Sequence, residues 1–440
     1  MDKVVYAVYL GLITTTLAVI ARVLWGNITQ RPVKLRAPFV WMIFLSGLAA
    51  AYFHVAERQP RALGVERTKF ASEPNAPIKI AAVWPDDQSG FFAGAQRAAQ
   101  EINASELSFR SKAGKLVKFS VEIANFPYDE KNKATIAREV IKDTHVLGVV
   151  GHADAVSAIQ GSATYHISQL VHFVPSVQDT TLTSIPFDGT FQLVADDHYI
   201  IDAIADFIVA NGYDNIAIVA ERDEYAHQLY IYLQNELSVN VLGDDTGGKQ
   251  RFAGQVVSPT TQYLTYEHSA VANDEIITTL SEQMFDLVLI LDDDPSIIDF
   301  LSEFMRRRLD LPVIVLPHTA SFYSEFAASV FEGIDDAQKK LIYVVDLNDA
   351  LIRVDPMLGS FREAFINNYA YDSVMLMAEM WKRAGTLSPL EASSKLRALP
   401  DWVFAGQLVD FSSHGKLVDP KVDIRLLDDI FSHKISVTNN

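Results

Sequence analysis

Short apolar runs alternate with helical patterns along most of the chain. The run Ile78–Trp84 ends at Pro85, and Phe91–Asn103 then places apolar side chains at helical spacing. The same alternation predicts strands at Leu116–Ile123, Val146–Val150, His172–Pro175, Ile216–Ala220, Leu287–Leu291 and Val313–Leu316, and helices at 132–144, 155–169, 199–211, 225–237, 273–284 and 295–308. Strands that are continuous apolar runs between helices predict parallel sheets covered on both faces.

The folded body predicted by this pattern is too long for a single sheet. Residues 77–440 are 364 residues, so two α/β lobes are expected. The stretch 243–272 is predicted to be a long loop, and its pattern indicates a hairpin within the loop only weakly. Ligands of open parallel sheets bind beyond the carboxyl ends of the strands. The residues that follow Trp84, Val150, Val174, Ala220, Leu291 and Leu316 are therefore the candidate site.

The N-terminal region has a different pattern. Val4–Ala21 is 18 residues and Ala37–Ala56 is 20 residues without a Lys, Arg, Asp or Glu. Each is long enough for a hydrocarbon core of about 30 Å, so two transmembrane helices at about 4–25 and 37–56 are predicted. A cleaved signal peptide is the alternative for the first segment. Residues 57–76, which show no regular period, are predicted to be a linker.

The orientation in the membrane follows from the basic residues, although not uniquely. The loop 22–36 carries four basic side chains, which favours a cytoplasmic loop and a periplasmic C-terminal body. Residues 57–69 also carry four, so charge alone leaves both orientations open. The predicted location is the inner membrane, with two passes and the body in the periplasm.

Composition excludes several functional classes. The chain has no cysteine, which excludes disulfides, thiolate metal sites, Cys nucleophiles and a cysteine-linked lipid anchor. The formal net charge is −18, distributed as +6 over residues 1–70 and −24 over residues 71–440. An acidic body repels phosphate backbones, so nucleic acid is not an expected partner.

Sequence motifs of enzymes are also missing. The chain contains no GxGxxG, GxxxxGK[ST], HExxH or GxSxG pattern, and its histidines form no metal-ligand pair with carboxylates at helical spacing. We therefore expect a non-enzyme with no cofactor and no metal.

Several stretches, in order, resemble type I periplasmic binding proteins, the leucine/isoleucine/valine-binding class of receptors. They are "IKIAAVWPDDQSGFFAGAQRAAQEIN" (78–103), "VLGVVGHADAVSAIQGSATY" (146–165), "VHFVPSVQDTTLT" (171–183), "FQLVADDHYIIDAIADFIVANGYDNIAIVAERDEYAHQL" (191–229), "AYDSVMLMAEMW" (370–381) and "FAGQLVDFSSHG" (404–415). The resemblance implies two Rossmann-like lobes joined by three crossovers and closing on a ligand. It places lobe 1 at 77–194 plus about 318–400, and lobe 2 at 195–317 plus about 401–433.

The resemblance also implies a ligand-binding site. In the family, hydroxyls and backbone N–H groups after the third and fourth strands hold a ligand carboxylate, and the matching positions here are Ala153, Asp154, Ser157, Ser176, Val177 and Gln178. This chain departs from the family at Asp154, which would repel a carboxylate; the other interpretation of Asp154 is an N-cap with Ser157 at N3. The ligand ammonium would meet lobe 2, where Tyr225, Asp292 and Asp293 are the candidates, and Gln88, Phe91, His318 and Tyr371 are candidate wall residues.

Two functions are compatible with this pattern. The first is a membrane-tethered extracytoplasmic receptor that binds an amino-acid-like or cationic polar solute between its lobes and serves a membrane transporter, such as an ABC transporter, or a signalling partner. The second is a degenerate binding-protein fold that acts as a structural or regulatory partner in an envelope complex.

Overall fold

The structure, a computed structural model, describes most of the C-terminal body. The described residues are 60–72, 77–111, 114–221, 224–242, 259–266, 270–291, 297–307, 310–316, 336–346, 361–398, 402–404, 407–420 and 422–426. The chain divides into two compact units, residues 1–66 and 67–440, and the second contains all the strands given below.

The predicted membrane spans, about 4–25 and 37–56, lie outside the described residues. Within the described ranges, no helix combines the length and the apolar composition needed to cross a bilayer. The two-span anchor therefore stays a prediction from the sequence.

The first sheet consists of five parallel strands. Its strands are β1 (Ile78–Pro85), β4 (Val121–Tyr128), β5 (Val146–Gly151), β6 (Val171–Val174) and β7 (Thr190–Gln192), and β2 (Ser108–Arg110) with β3 (Leu116–Lys118) forms a separate antiparallel pair. The strand order is β4-β1-β5-β6-β7. In this doubly wound order the switch point lies between β1 and β5, where ligands of such sheets bind.

The helices of lobe 1 cover this sheet on both faces. They are α2 (Gly90–Ala104), α3 (Ile136–Val140), α4 (Ala155–Ile167), α5 (Thr181–Ser184), α11 (Phe361–Ala384) and α12 (Pro389–Ala398). The helices α2 and α11 approach closely at Gly94, where an added Cβ would lie 1.9 Å from the Asn367 carbonyl oxygen. Glycine is therefore the residue that this crossing requires.

The second sheet has six strands and is parallel except at one edge. Its strands are β8 (Asn215–Glu221), β9 (Thr260–Tyr266), β10 (Leu287–Ile290), β11 (Val313–Val315), β12 (Ile342–Asp346) and β15 (Asp423–Leu426), in the order β15-β12-β11-β10-β8-β9, with β15 antiparallel. The helices of lobe 2 are α6 (Asp197–Asn211), α7 (Glu224–Leu242), α8 (Ala270–Glu282), α9 (Ile297–Arg306) and α10 (Asp336–Lys339), and β13 (Trp402–Phe404) with β14 (Gln407–Val409) forms a small antiparallel pair.

The structure shifts two predicted lobe boundaries. The strand β12 pairs with β11, so residues 342–346 belong to the second sheet rather than to the predicted lobe 1 segment 318–400. Val409 and Phe411 are buried in the core of the first sheet, although the sequence assigns 401–433 to lobe 2. In both places the polypeptide changes lobe without a change in hydrophobic pattern, so the sequence carries no signal of the crossover.

Three predicted elements are also corrected. The predicted strand Leu116–Ile123 splits, because β3 pairs with β2 while β4 pairs with β1. The predicted helix 132–144 shortens to α3, because Asp129 Oδ1 accepts the N–H groups of Lys131 and Asn132 and holds a turn there. Within 243–272, β9 is a parallel edge strand beside β8 rather than part of a hairpin.

The predicted linker contains a helix. Residues 60–71 form α1 although their sequence has no helical period. Arg67 is fully buried, and its guanidinium donates to the carbonyls of Val146 at 2.6 Å and Ile141 at 3.0 Å, and also to those of Ser168 and Asp143. These carbonyls lie at the amino end of the first sheet, opposite the edge at which the candidate site is expected. Residues 67–72 are therefore part of lobe 1 rather than of a linker.

Candidate functional site

The carboxyl ends of β1, β5 and β6 bring most of the predicted lobe 1 residues to one edge of the first sheet. The loop after β1 carries Gln88, the loop after β5 carries Ala153 and Asp154, and the loop after β6 carries Ser176, Val177 and Gln178. Parallel pairing of the strands in this order makes these loops neighbours. The structure therefore places the predicted positions at the expected edge.

Asp154 is the N-cap of α4. Its Oδ1 accepts the Ser157 N–H at 2.9 Å, and its Oδ2 accepts the Ser157 hydroxyl at 2.6 Å. The N-cap interpretation is thus confirmed, and the cap supplies a donor-rich helix start with a carboxylate from the chain itself. Two donors that could hold a ligand carboxylate are already used.

Tyr128, the last residue of β4, accepts a hydrogen bond from a third donor, the Ala153 N–H. The sequence analysis did not identify Tyr128 as a site residue. Its hydroxyl accepts the Ala153 N–H at 3.1 Å and donates to Asp154 Oδ2 at 3.1 Å. Burial raises the pKa of the Tyr128 phenol, so the hydroxyl keeps its proton for this bond. Tyr128 is the last residue of a parallel strand. Its position at the carboxyl end of that strand is the signal that could have identified it.

Neutral aromatic and imidazole groups support this edge from behind. His152 Nε2 lies 3.0 Å from the Tyr165 hydroxyl, and His172 Nε2 lies 2.7 Å from the Gly151 carbonyl oxygen, with all of these side chains fully buried. Burial lowers the pKa of His152 to about 3, so it is uncharged at neutral pH. This cluster fixes the β5 loop and presents no charge to a ligand.

The loop after β6 contains one unsatisfied acceptor. Ser176 Oγ lies 3.3 Å from the His152 carbonyl and 3.4 Å from the Ala153 carbonyl, and the Val177 carbonyl accepts Gln192 Nε2 at 2.8 Å. The Gln178 side chain is 6 % exposed, and its Oε1 has no hydrogen-bond partner in the described part of the chain. A buried amide oxygen of this kind favours a ligand that donates a hydrogen bond.

Two predicted wall residues are engaged in contacts within lobe 1. Phe91 is fully buried and stacks on Trp84 with ring centroids 4.0 Å apart, so it is a core residue. Tyr371 lies within α11, where its hydroxyl donates to Glu101 and its ring lies 4.4 Å from the Arg97 guanidinium carbon. The sequence analysis made Tyr371 a candidate wall residue, whereas it packs on α2.

Gln88 is partly committed to the fold. Its Oε1 accepts the Trp84 indole N–H at 2.8 Å. Its amide N–H groups remain the part of Gln88 that can serve a ligand.

Tyr225, the predicted lobe 2 candidate, contacts Asp197 at the start of α6. The Tyr225 hydroxyl donates to Asp197 Oδ1 at 2.8 Å, and Asp197 is 3 % exposed at the first position of α6. Burial, together with the carboxylates of Asp179 and Asp196, raises the pKa of Asp197 to about 8. The sequence analysis selected Tyr225 but not Asp197, because a carboxylate at a helix start is also what an ordinary capping residue looks like.

The remaining lobe 2 candidates, Asp292 and Asp293, and the wall candidate His318 lie outside the described residues. Within the described ranges, no group of three or more His, Asp or Glu side chains is arranged to hold a metal ion.

Solved structures with the same fold are receptors for small molecules. An ABC transporter substrate-binding protein from Desulfitobacterium hafniense in complex with Leu superposes with a TM-score of 0.58 at 19% identity, covering 79% of this chain and 97% of that one. A branched-chain amino acid transporter substrate-binding protein from Streptococcus pneumoniae in complex with isoleucine has a TM-score of 0.55 at 16% identity, covering 79% and 95%. An ABC transporter solute-binding protein from R. palustris in complex with benzoate has a TM-score of 0.55 at 13% identity, covering 80% and 93%.

The sequence itself is distant from known families. No family model matches the chain, and no curated protein matches its sequence. A similarity below 25% identity establishes the fold alone, which is that of type I periplasmic binding proteins.

Proposed function

We propose that this chain is a small-molecule-binding receptor that takes a polar amino-acid-like or cationic solute between its two lobes. The observation that carries the proposal is the polar edge of the first sheet, where the loops after β5 and β6 meet opposite Tyr225 and Asp197 of lobe 2. The solved structures of this fold that bind leucine, isoleucine or benzoate support a solute-binding role and argue against an enzyme.

The head group of the solute follows from which donors remain. In α4 the Ser157 N–H and hydroxyl serve Asp154, and the Ala153 N–H serves Tyr128. A ligand carboxylate placed there would compete with Asp154 and be repelled by it. The unpartnered acceptor Gln178 Oε1 favours a group that donates a hydrogen bond, such as an amide or an amine, so we expect a ligand without a free carboxylate at this position.

The second candidate function is a structural or regulatory partner in an envelope complex. The Asp154 cap of α4 favours it. A helix start whose donors are satisfied by a side chain of the same chain would also result if ligand binding had been lost. The two alternatives differ in whether any small molecule stabilises the fold.

A thermal-shift screen of the full chain separates them. The panel pairs acids with amides or amines of the same shape: L-leucine with L-leucinamide, benzoate with benzamide, and putrescine and spermidine as diamine and triamine. A solute at 100 times its dissociation constant adds about 2.7 kcal/mol to the free energy of unfolding, which raises the midpoint measurably. Stabilisation by amides or amines supports the receptor, and no response to any member of the panel supports the partner.

The membrane location belongs to the proposal as well. The uncharged segments Val4–Ala21 and Ala37–Ala56 support a two-pass anchor in the inner membrane, with the body in the periplasm beside a transporter or signalling partner. Alkaline phosphatase fused after residue 440 should be active, and green fluorescent protein fused there should be dark after Sec export. The opposite pair of results would place the body in the cytoplasm.

A further inference from the structure

The loop between β6 and α5 is bound to the crossover that leads from lobe 1 into lobe 2. The Val177 carbonyl of this loop accepts Gln192 Nε2 at 2.8 Å, and Gln192 is the fully buried last residue of β7. The Gln178 carbonyl accepts the backbone N–H of Asp197, the first residue of α6, at 3.1 Å. The two donors stand at the two ends of the crossover, so the loop is held by the crossover as well as by its own lobe.

The Asp197 side chain adds a third bond to the same loop. Its carboxyl accepts the Thr180 backbone N–H and, from lobe 2, the Tyr225 hydroxyl at 2.8 Å. Asp197 is 3 % exposed, so these bonds are shielded from water. One residue therefore holds the loop through both its backbone and its side chain, and it also contacts the candidate aromatic residue of lobe 2.

Gln178 is the residue of this loop that bears on ligand binding. Its Oε1 is the buried acceptor without a hydrogen-bond partner in the described part of the chain. A solute that donates to this oxygen binds more weakly if the loop must first be ordered, because ordering a loop costs conformational entropy. The bonds to the backbone groups of Val177, Gln178 and Thr180 are made by the chain itself, so they order the loop without a contribution from the solute.

We propose that Asp197 is a positioning residue that orders the β6–α5 loop and thereby fixes the Gln178 acceptor for a solute. Because the same carboxyl contacts Tyr225, the order of this loop is coupled to the start of α7. This role rests on the proposed function, since Gln178 matters to a solute only if the chain binds one. It requires neither a contact between Asp197 and the solute nor a change in the charge of Asp197.

Hydrogen exchange of the full chain tests this role without a ligand. Asp197→Ala removes the acceptor of the Thr180 N–H, and a lost bond to a buried carboxyl should make the loop amides exchange about tenfold faster. Asp197→Asn keeps an oxygen that can accept the Thr180 N–H, so it should restore slow exchange. Mass spectrometry of peptides that cover residues 176–184 provides the measurement.

Asp196→Ala is the matched control at the same helix start. Asp196 is the N-cap of α6 and accepts the Tyr199 N–H at 3.4 Å. Its removal should speed exchange in the first turn of α6 and leave the loop unchanged. Unchanged loop exchange in Asp197→Ala, equal loop acceleration in Asp196→Ala, or no restoration in Asp197→Asn would each overturn the role of Asp197.

A second variant keeps the proposal testable if Asp197→Ala does not fold. Thr180→Pro removes the N–H donor from the loop side of the same bond, and proline fits there because the φ angle of Thr180 is −60°. The remaining amides of the loop should then exchange about tenfold faster. Loop exchange as slow as in the unmodified chain would overturn the proposal.

Solute binding separates this role from the proposed function. L-leucinamide, benzamide, putrescine and spermidine are added in turn to the unmodified chain and to both Asp197 variants, and thermal shifts are measured. For each compound that stabilises the unmodified chain, the dissociation constant should rise about tenfold in Asp197→Ala and less in Asp197→Asn. Equal affinities in the unmodified chain and Asp197→Ala would overturn the positioning role. No response of the unmodified chain to any compound would contradict the proposed function, and the exchange experiment would still decide on Asp197.

Discussion

The Asp154 carboxylate is bound to Ser157 through both of its oxygens, one accepting the backbone N–H at 2.9 Å and the other the hydroxyl at 2.6 Å. This pair closes the N-terminus of α4 from within. An anion from solution would have to displace the Asp154 side chain. The anion loses translational freedom when it binds, whereas a side chain of the same chain does not. The proposed preference against carboxylate ligands therefore rests on two residues that are three positions apart.

The charge of Asp154 can be separated from its capping role. Asp154→Asn keeps an oxygen that can accept the Ser157 N–H, whereas Asp154→Ala removes the cap. We expect Asp154→Ala to lower the free energy of unfolding by about 1 kcal/mol and Asp154→Asn to lower it less. Urea unfolding of both variants provides the measurement, and equal losses would show that capping is not what Asp154 contributes.

Tyr128 should matter through its hydroxyl alone. Tyr128→Phe leaves the partly buried Ala153 N–H without its acceptor, which costs about 1 kcal/mol of stability. The matched control is Tyr213→Phe, at a half-buried tyrosine of lobe 2. Thermal unfolding of the two variants measures the difference. A loss no greater in Tyr128→Phe than in Tyr213→Phe would contradict the role given to the Ala153 contact.

The raised pKa of Asp197 predicts that the free energy of unfolding falls as the pH rises. Its pKa is about 8 in the folded chain against 3.8 as its ordinary value, so the folded state binds more protons between these two pH values. The stabilisation is complete below pH 3.8 and is lost progressively until the pH passes 8, by up to about 1.4 kcal/mol per pH unit from this one group. Urea unfolding at pH 5, 6, 7 and 8 measures the slope.

The variant Asp197→Asn isolates this contribution from the other titrating groups. The difference in unfolding free energy between Asp197→Asn and the unmodified chain should grow in favour of the variant from pH 5 to 8. Parallel pH profiles for the two proteins would mean that Asp197 is ionised in the folded state.

The contacts of Arg67 predict that the chain is already fixed to lobe 1 before β1 begins. The guanidinium satisfies carbonyls of four residues and is fully buried, so Arg67→Met should cost about 3 kcal/mol or more by leaving them unpaired. Arg138→Met, at an exposed arginine of α3, serves as the control. Unfolding followed by near-ultraviolet dichroism measures both. Equal stability of the two variants would support a flexible linker at this position.

The sequence was sufficient for the architecture but not for its contacts. Apolar runs such as Val146–Val150 and Leu287–Leu291 are buried on both sides, so their pattern predicts parallel strands directly. The contact of Tyr128 with Ala153 spans 25 residues, and that of Arg67 with Val146 spans 79. Such contacts depend on which strands become neighbours, and local periodicity does not carry that information.

The same limit explains the site residues that the sequence placed elsewhere. Phe91 and Tyr371 lie on helices at positions where either a core or a rim is compatible with the pattern, and packing against Trp84 and Arg97 decides between them. Asp197 stands next to the N-cap Asp196, so its sequence position indicates only a helix start. Its partnership with Tyr225 arises from the packing of α6 against α7.

The central claim is that the two lobes close on a small molecule that lacks a free carboxylate, and the labelled chain tests it most directly. Dyes are attached at two exposed positions of the full chain, which has no native cysteine, through Val156→Cys in α4 and Gln228→Cys in α7. Energy transfer between them is measured at constant pH 6 while L-leucine, L-leucinamide, benzoate, benzamide, putrescine and spermidine are added in turn. We predict that the transfer rises in a saturable way with at least one amide or amine and not with the two acids. Constant transfer with all six compounds, or a rise with the acids alone, would contradict the claim.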